Sequence, residues 1–256
     1  MVLERLVSRR HVLIGCVVLL THTPGTRAQA APANEIRIAF IGDSMSDGYW
    51  GGIVRATSKD NCQKYTLGRY GENGTGLTRQ DKFNWAEEAK SILADFHPDL
   101  VVVSLGLNDV QSIVEANRTR TNFGSPAWSK KYREMVTTFL ESLSTVPAGI
   151  LWIGNPVLRD TAANSAAQER NKIIAEAIGI FGPPARYVKP WQLSESGEDT
   201  FQAFGPGISG SRVQLRASDG VHFTALGYDV VAAYLLPIFI DQLQKHNIEV
   251  VFPCRK

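Results

Sequence analysis

The run Leu100–Leu105 (LVVVSL) has one polar side chain in six and three consecutive valines. β-Branched residues favour extended backbone. A strand without polar alternation has no face to offer water, so it belongs in a sheet covered on both sides. Turn residues bound it, His97-Pro98-Asp99 before and Gly106 after. Three further runs read the same way: Ile36–Ile41, Gly149–Ile153 and the shorter Ala185–Val188. Between them apolar residues recur at helical spacing. In Asn84–Phe96 they are Trp85, Ala89, Ile92, Leu93 and Phe96. Trp128–Leu143 and Ala162–Ile178 follow the pattern. So does Thr224–Lys245, with Thr224 as its N-cap. Strands alternating with helices predict an α/β fold with a mostly parallel sheet. No repeat or linker divides residues 35–256, which read as one domain. Residues 192–218 carry Gly205-Pro206-Gly207 and read as one long irregular loop, a lid or pocket wall.

Residues 1–30 read as an export signal, by the Sec or the twin-arginine route. Ser8-Arg9-Arg10 precedes an apolar run from Val12 to Leu20, and Ala28-Gln29-Ala30 has the small-x-small form of a cleavage site. The mature chain then starts near Ala31, in the periplasm or outside the cell. The apolar run is short for a permanent membrane anchor, so none is expected. Leu13-Ile14-Gly15-Cys16 has the form of a lipoprotein box, but the apolar run continues past the cysteine, against lipidation. The mature chain keeps Cys62 and Cys254, a disulfide candidate in an oxidising compartment. The chain has 27 basic and 25 acidic residues; taking away the four arginines and one glutamate of residues 1–30 leaves 23 and 24. A near-neutral body of this kind does not point to nucleic acid.

The first strand runs straight into a polar turn, in IAFIGDSMSDGYW (Ile38–Trp50). Ligands of open α/β sheets bind beyond the C-terminal ends of the strands. LVVVSL leads into Gly106-Leu107-Asn108-Asp109 at the same edge, and Asp219-Gly220-Val221-His222 immediately precedes the last helix. A serine hydroxyl is a weak nucleophile until a base takes its proton. His222 qualifies for Ser44. His11 and His22 lie in the signal, His97 lies at the opposite sheet end, and His246 closes the last helix. Asp219 can orient the imidazole. An oxyanion needs fixed donors. The Asn108 amide, the Ser44 N–H and a glycine N–H from GENGTG (Gly71–Gly76) are on offer. Ser46 is the rival nucleophile. Asp43 reads as shaping the turn, Asp47 as capping the following helix, and Asp109 as an orienter of Asn108 or a loop cap. Trp85 reads as core, while Trp50 and Trp191 are pocket candidates. No HExxH, paired-cysteine or histidine cluster suggests a metal. Gly74-Thr75-Gly76 lacks the lysine and hydroxyl partners of a phosphate loop.

These blocks resemble the SGNH hydrolases, the GDSL-type esterases. Gly42-Asp43-Ser44 stands for the first block, with Met45 where many members have Leu. Gly76 in Gly74-Thr75-Gly76-Leu77 stands for the second, with Gly74 and Gly71 as alternatives. Gly106-Leu107-Asn108-Asp109 fits Gly-x-Asn-Asp, and Asp219-Gly220-Val221-His222 fits Asp-x-x-His. The resemblance spans residues 42 to 222 in the family's order. It implies a flavodoxin-like three-layer sandwich with a five-stranded sheet of order 2-1-3-4-5. It implies a triad of Ser44, Asp219 and His222 and an oxyanion hole of Ser44, Gly76 and Asn108, with no cofactor. The expected function is an exported serine esterase acting through an acyl-enzyme. With export, the resemblance points to O-acylated, for example O-acetylated, carbohydrate as substrate. The alternatives are an acyltransferase using the same site on a sugar hydroxyl, and a low-turnover binding module.

Overall fold

Five strands lie side by side in a wholly parallel sheet. The computed structural model of the protein describes residues 35–58, 63–191 and 200–250. The strands are β1 (Glu35–Gly42), β2 (Lys64–Gly71), β3 (Leu100–Ser104), β6 (Ile150–Ile153) and β7 (Ala185–Val188). Their order is β2-β1-β3-β6-β7, the 2-1-3-4-5 order that the resemblance implied. Two small antiparallel ribbons stand outside the sheet: β4 (Ile113–Val114) with β5 (Arg120–Thr121), and β8 (Phe204–Pro206) with β9 (Arg212–Gln214). The helices are α1 (Ser44–Thr57), α2 (Trp85–Phe96), α3 (Pro126–Ser142), α4 (Thr161–Phe181) and α5 (Ala225–Lys245).

Successive strand residues point to opposite faces, so each strand feeds two cores. Ala39, Ile41, Val101 and Val103 pack with the apolar faces of α2, α3 and α4. Ile38, Phe40, Leu100 and Val102 pack with α1 and α5 on the other side. This makes three layers, with β3 buried along its whole length. The helices start where capping chemistry places them. Asn84 accepts from Ala86 N–H, Ser125 from Trp128 N–H, and Thr224 from Gly227 N–H.

Three features depart from the sequence reading. Strand β2 was not expected: KYTLGRYG lies at the sheet edge, is mostly half-exposed and carries two glycines, so it lacks an apolar run. The 192–218 segment is not irregular throughout, because the β8–β9 ribbon occupies part of it; residues 192–199 lie outside the described residues. Asp47 does not cap α1. Asp43 does, accepting from Met45 N–H at 3.0 Å. Asp47 instead makes a two-pronged ion pair with Arg69 on β2. The export signal and both Cys62 and Cys254 also lie outside the described residues.

Candidate active site

The register of the sheet brings three loops to one level. Gly42, the last residue of β1, pairs with Gly71 on one side and with Ser104 on the other. Asp43 N–H donates to the Ser104 carbonyl at 3.1 Å, and Glu72 N–H donates to the Gly42 carbonyl at 2.8 Å. A Cβ on Gly42 would sit 2.0 Å from the Ser104 oxygen, and its φ of +150° also favours glycine. The loops after β1, β2 and β3 therefore start together, where the strand order reverses and α/β folds build their crevices.

Ser44 is the first residue of α1. Its Oγ lies 2.7 Å from His222 Nε2, across 178 residues of chain. His222 Nδ1 lies 2.7 Å from Asp219 Oδ2. Burial opposes the Asp219 charge, but the His222 ring and the Val221 and His222 N–H groups outweigh it, holding the carboxyl down to about 2. An ionised carboxylate only accepts, so Nδ1 carries the imidazole proton and Nε2 presents its lone pair to Ser44. Ser46 Oγ is buried within α1 with no hydrogen-bond partner among the described residues.

Asn108 reaches the Ser44 turn from the loop after β3. Its Nδ2 donates to the Thr75 carbonyl at 2.9 Å and approaches Asp43 Oδ2 only at 3.4 Å. Asp109 is fully buried and ties the second and third blocks together. It accepts from Leu77 N–H, from Thr78 N–H and Oγ1–H, and from the Tyr132 hydroxyl at 2.9 Å. A Cβ on Gly76 would meet Asp109 Oδ1 at 2.2 Å, so only glycine fits. Around Gly76 the N–H groups of Thr75, Leu77 and Thr78 are all taken. No hydrogen bond to a described residue occupies those of Gly76 and Ser44. Gly76 is buried in the loop, Gly74 is exposed, and Gly71 closes β2.

Two buried arginines hold the site loops, and the sequence reading identified neither. Arg170 of α4 donates to the Gly106 carbonyl at 2.6 Å and to that of Leu107 at 3.4 Å. A visible signal existed: Arg170 shares the apolar stripe of α4 with Ala167, Ile174 and Ala177. Arg216 is completely buried. It donates to the carbonyls of Val157 (2.7 Å), Val221 (2.6 Å) and His222 (3.3 Å). Its guanidinium lies 4.4 Å from the Phe223 ring centre and 4.8 Å from that of Phe201. Burial pulls its pKa down to about 10, so it stays charged at neutral pH. The expected core role of Trp85 holds, at 2 % exposure. Trp50 donates its N–H to the Leu67 carbonyl on β2, and Trp191 packs edge-on to Phe223, next to His222. A cavity of about 670 Å³ between Arg55, Ile208, Asp229 and Leu236 has no site residue in its wall. Among the described residues no group of three His, Cys, Asp or Glu side chains is arranged to hold a metal.

Residues 37–238 match the family described as "Protein of unknown function (DUF459)". The chain belongs to the DUF459 family. A search of curated proteins gives no match to it. Solved structures do resemble this DUF459 protein. An inhibitor-bound aryl esterase from M. smegmatis superposes with a TM-score of 0.54 at 16% identity, covering 81% of this chain and 100% of that one. A carbohydrate acetylesterase family member from Sinorhizobium meliloti gives 0.52 at 17%, covering 82% and 99%. An acetylxylan esterase from Geobacillus stearothermophilus, as a catalytic mutant, gives 0.52 at 14%, covering 81% and 94%. At these identities the likeness is one of fold, and the fold is that of the SGNH resemblance.

Proposed function

We propose that this DUF459 protein is a serine esterase, with Ser44 as nucleophile, His222 as general base and acid, and Asp219 as the group that orients His222. The observation that carries the reading is the continuous chain of two 2.7 Å contacts from Ser44 Oγ through the imidazole to Asp219. Ser44 attacks the ester carbonyl while His222 Nε2 takes its proton. The same proton passes to the leaving alcohol, and water then releases the acid from the acyl-enzyme by the reverse roles. Asp219 stays ionised throughout and stabilises the imidazolium. The oxyanion lies against the N–H groups of Ser44 and Gly76, and the Asn108 amide joins them by turning one N–H from the Asp43 carboxyl, which it approaches only at 3.4 Å. Pinning by Asp109 and Arg170 fixes these donors before substrate arrives.

Acetyl esters on a glycan are the substrates we favour, in line with the carbohydrate acetylesterase and acetylxylan esterase that share the fold. The proposed setting is outside the cytoplasm, on the strength of the signal-like sequence of residues 1–30.

The test is hydrolysis of 4-nitrophenyl acetate and butyrate by the mature chain and by Ser44→Ala. The expected result is turnover in the wild type and a loss of at least ~10³-fold in the variant. Equal rates in the two proteins overturn the nucleophile. A folded, inert wild type overturns the hydrolase reading, and product formed only with an added sugar acceptor replaces it with acyl transfer.

A further inference from the structure

A second cavity, of about 190 Å³, borders the Asn108 loop, with Thr75, Gly76, Arg79, Lys82, Phe83 and Gln111 in its wall. It is smaller than the roughly 300–1,000 Å³ of a whole ligand site and has the scale of a subsite. Two of its residues bond directly to Asn108: Thr75 accepts from the side-chain amide, and Gln111 Nε2 donates to the main-chain carbonyl at 3.3 Å. A third, Gly76, carries an N–H of the candidate oxyanion site that no hydrogen bond to a described residue occupies. The cavity therefore shares its wall with the candidate oxyanion site.

The wall chemistry is specific. Arg79 and Lys82 are cations. The carboxylate set against them is Asp81, which takes a two-pronged pair from Arg79 at 2.7 and 2.8 Å. Lys82 makes no ion pair among the described residues. Two positive charges against one negative leave the cavity cationic. Phe83 adds an aromatic face, fixed edge-on to Trp85 at 4.8 Å between ring centres, and Trp85 donates to Thr75 Oγ1 at 3.0 Å. Gln111 is anchored as well, since its main-chain carbonyl accepts from the Trp128 indole N–H at 2.9 Å and its side-chain amide donates to the Asn108 carbonyl. Positive charge, an aromatic platform and a fixed amide in one small hollow suit a ring with an apolar face, hydroxyl groups and a carboxylate.

We infer that the cavity walled by Arg79, Lys82, Phe83 and Gln111 is a subsite for an acidic sugar, so that the ester cleaved at Ser44 is carried on a uronate-containing glycan. The ester part rests on the hydrolase reading above; the binding part does not. Binding is therefore measured with Ser44→Ala by calorimetry, using tri-galacturonate and xylotriose as acidic and neutral probes. The acidic trimer is expected to bind at least about tenfold more tightly. The difference is expected to shrink about tenfold in Ser44→Ala/Lys82→Glu and to fall as salt is raised. Equal affinity for the two trimers, or no binding of either, overturns the subsite. In the wild type, kcat/KM is compared for O-acetylated oligogalacturonate and O-acetylated xylo-oligosaccharide. The ratio is expected to favour the acidic ester and to drop about tenfold in Lys82→Glu; a ratio that ignores the substitution overturns the substrate class. Circular dichroism on each variant checks that it is folded. Failure to cleave 4-nitrophenyl acetate sinks the hydrolase reading and leaves the binding result standing on its own.

Discussion

Replacing Asp43 by Asn removes a pH dependence of stability that the wild type carries. Asp43 has no exposed surface. Burial is the main cause that pushes its carboxyl from the ordinary 3.8 to about 7. The Met45 N–H works against burial, while the nearby charges of Asp109 and Asp47 add to it. Below pH 3.8 the group is protonated in both folded and unfolded chains, and it costs nothing. Between 3.8 and about 7 the unfolded chain ionises freely while the folded protein keeps the proton. Stability is lost as pH rises through that interval, and the loss is complete above about 7. At about 1.4 kcal/mol per pH unit, the interval corresponds to about 4 kcal/mol. Asn keeps the oxygen that caps Met45 and never ionises.

Urea unfolding of both proteins at intervals from about pH 4 to 8 measures the effect. The quantity to follow is the difference in unfolding free energy between variant and wild type, since the other titrating groups largely cancel in it. The difference should move in favour of Asp43→Asn by about 4 kcal/mol as pH rises. A flat difference means that water or a local rearrangement solvates the carboxylate. A difference that moves towards the wild type means that the charged form is stabilised by the fold, and the reasoning from burial is wrong.

Arg216→Ala strands the carbonyls of Val157 and Val221, while that of His222 keeps the Ala217 N–H, and should destabilise by about 3 kcal/mol in urea. Because Arg216 reaches substrate only through the His222 backbone, kcat should fall about tenfold or more with KM little changed, and Arg216→Lys should recover part of the loss. Gly76→Ala forces a Cβ to 2.2 Å from Asp109 Oδ1, so it should cost about 2 kcal/mol and lower kcat by about tenfold or more as the Gly76 N–H moves. A wild-type melting curve and rate for Gly76→Ala would show that the loop yields and that the glycine is not needed there.

What was legible in the sequence followed from local rules. Strand β3 announced itself because burial on both faces allows almost nothing polar, and the start of α5 followed from Thr224 as its cap. Strand β2 was hidden because an edge strand needs only its backbone, and KYTLGRYG pairs with β1 over eight residues without an apolar run. Asp47 looked like a cap because one turn-favouring residue in a short polar stretch is as good as another by sequence. The choice of Asp43 is made by the chain leaving β1 at Gly42, which places the Asp43 carboxylate over Met45 N–H.

The site shows the same division more sharply. Ser44, Asn108, Asp219 and His222 could be picked out because each is a reactive type at the end of a strand or the start of a helix. The parts that hold them in register could not, because they act across long chain separations on backbone atoms. Arg170 reaches the Gly106 carbonyl from 64 residues away, and Arg216 reaches the Val157 carbonyl from 59. A carbonyl has no sequence signature, so nothing local names its partner; Arg170 is marked out only by its place on the apolar stripe of α4. Asp109 lies between the two cases. It was recognised beside Asn108, yet its work is to bind Leu77 and Thr78 across the neighbouring loop, and that work explains why residue 76 must be glycine. The Gly76 assignment therefore rests on Asp109 as much as on the glycine, and a substitution at either residue should disturb the same donor.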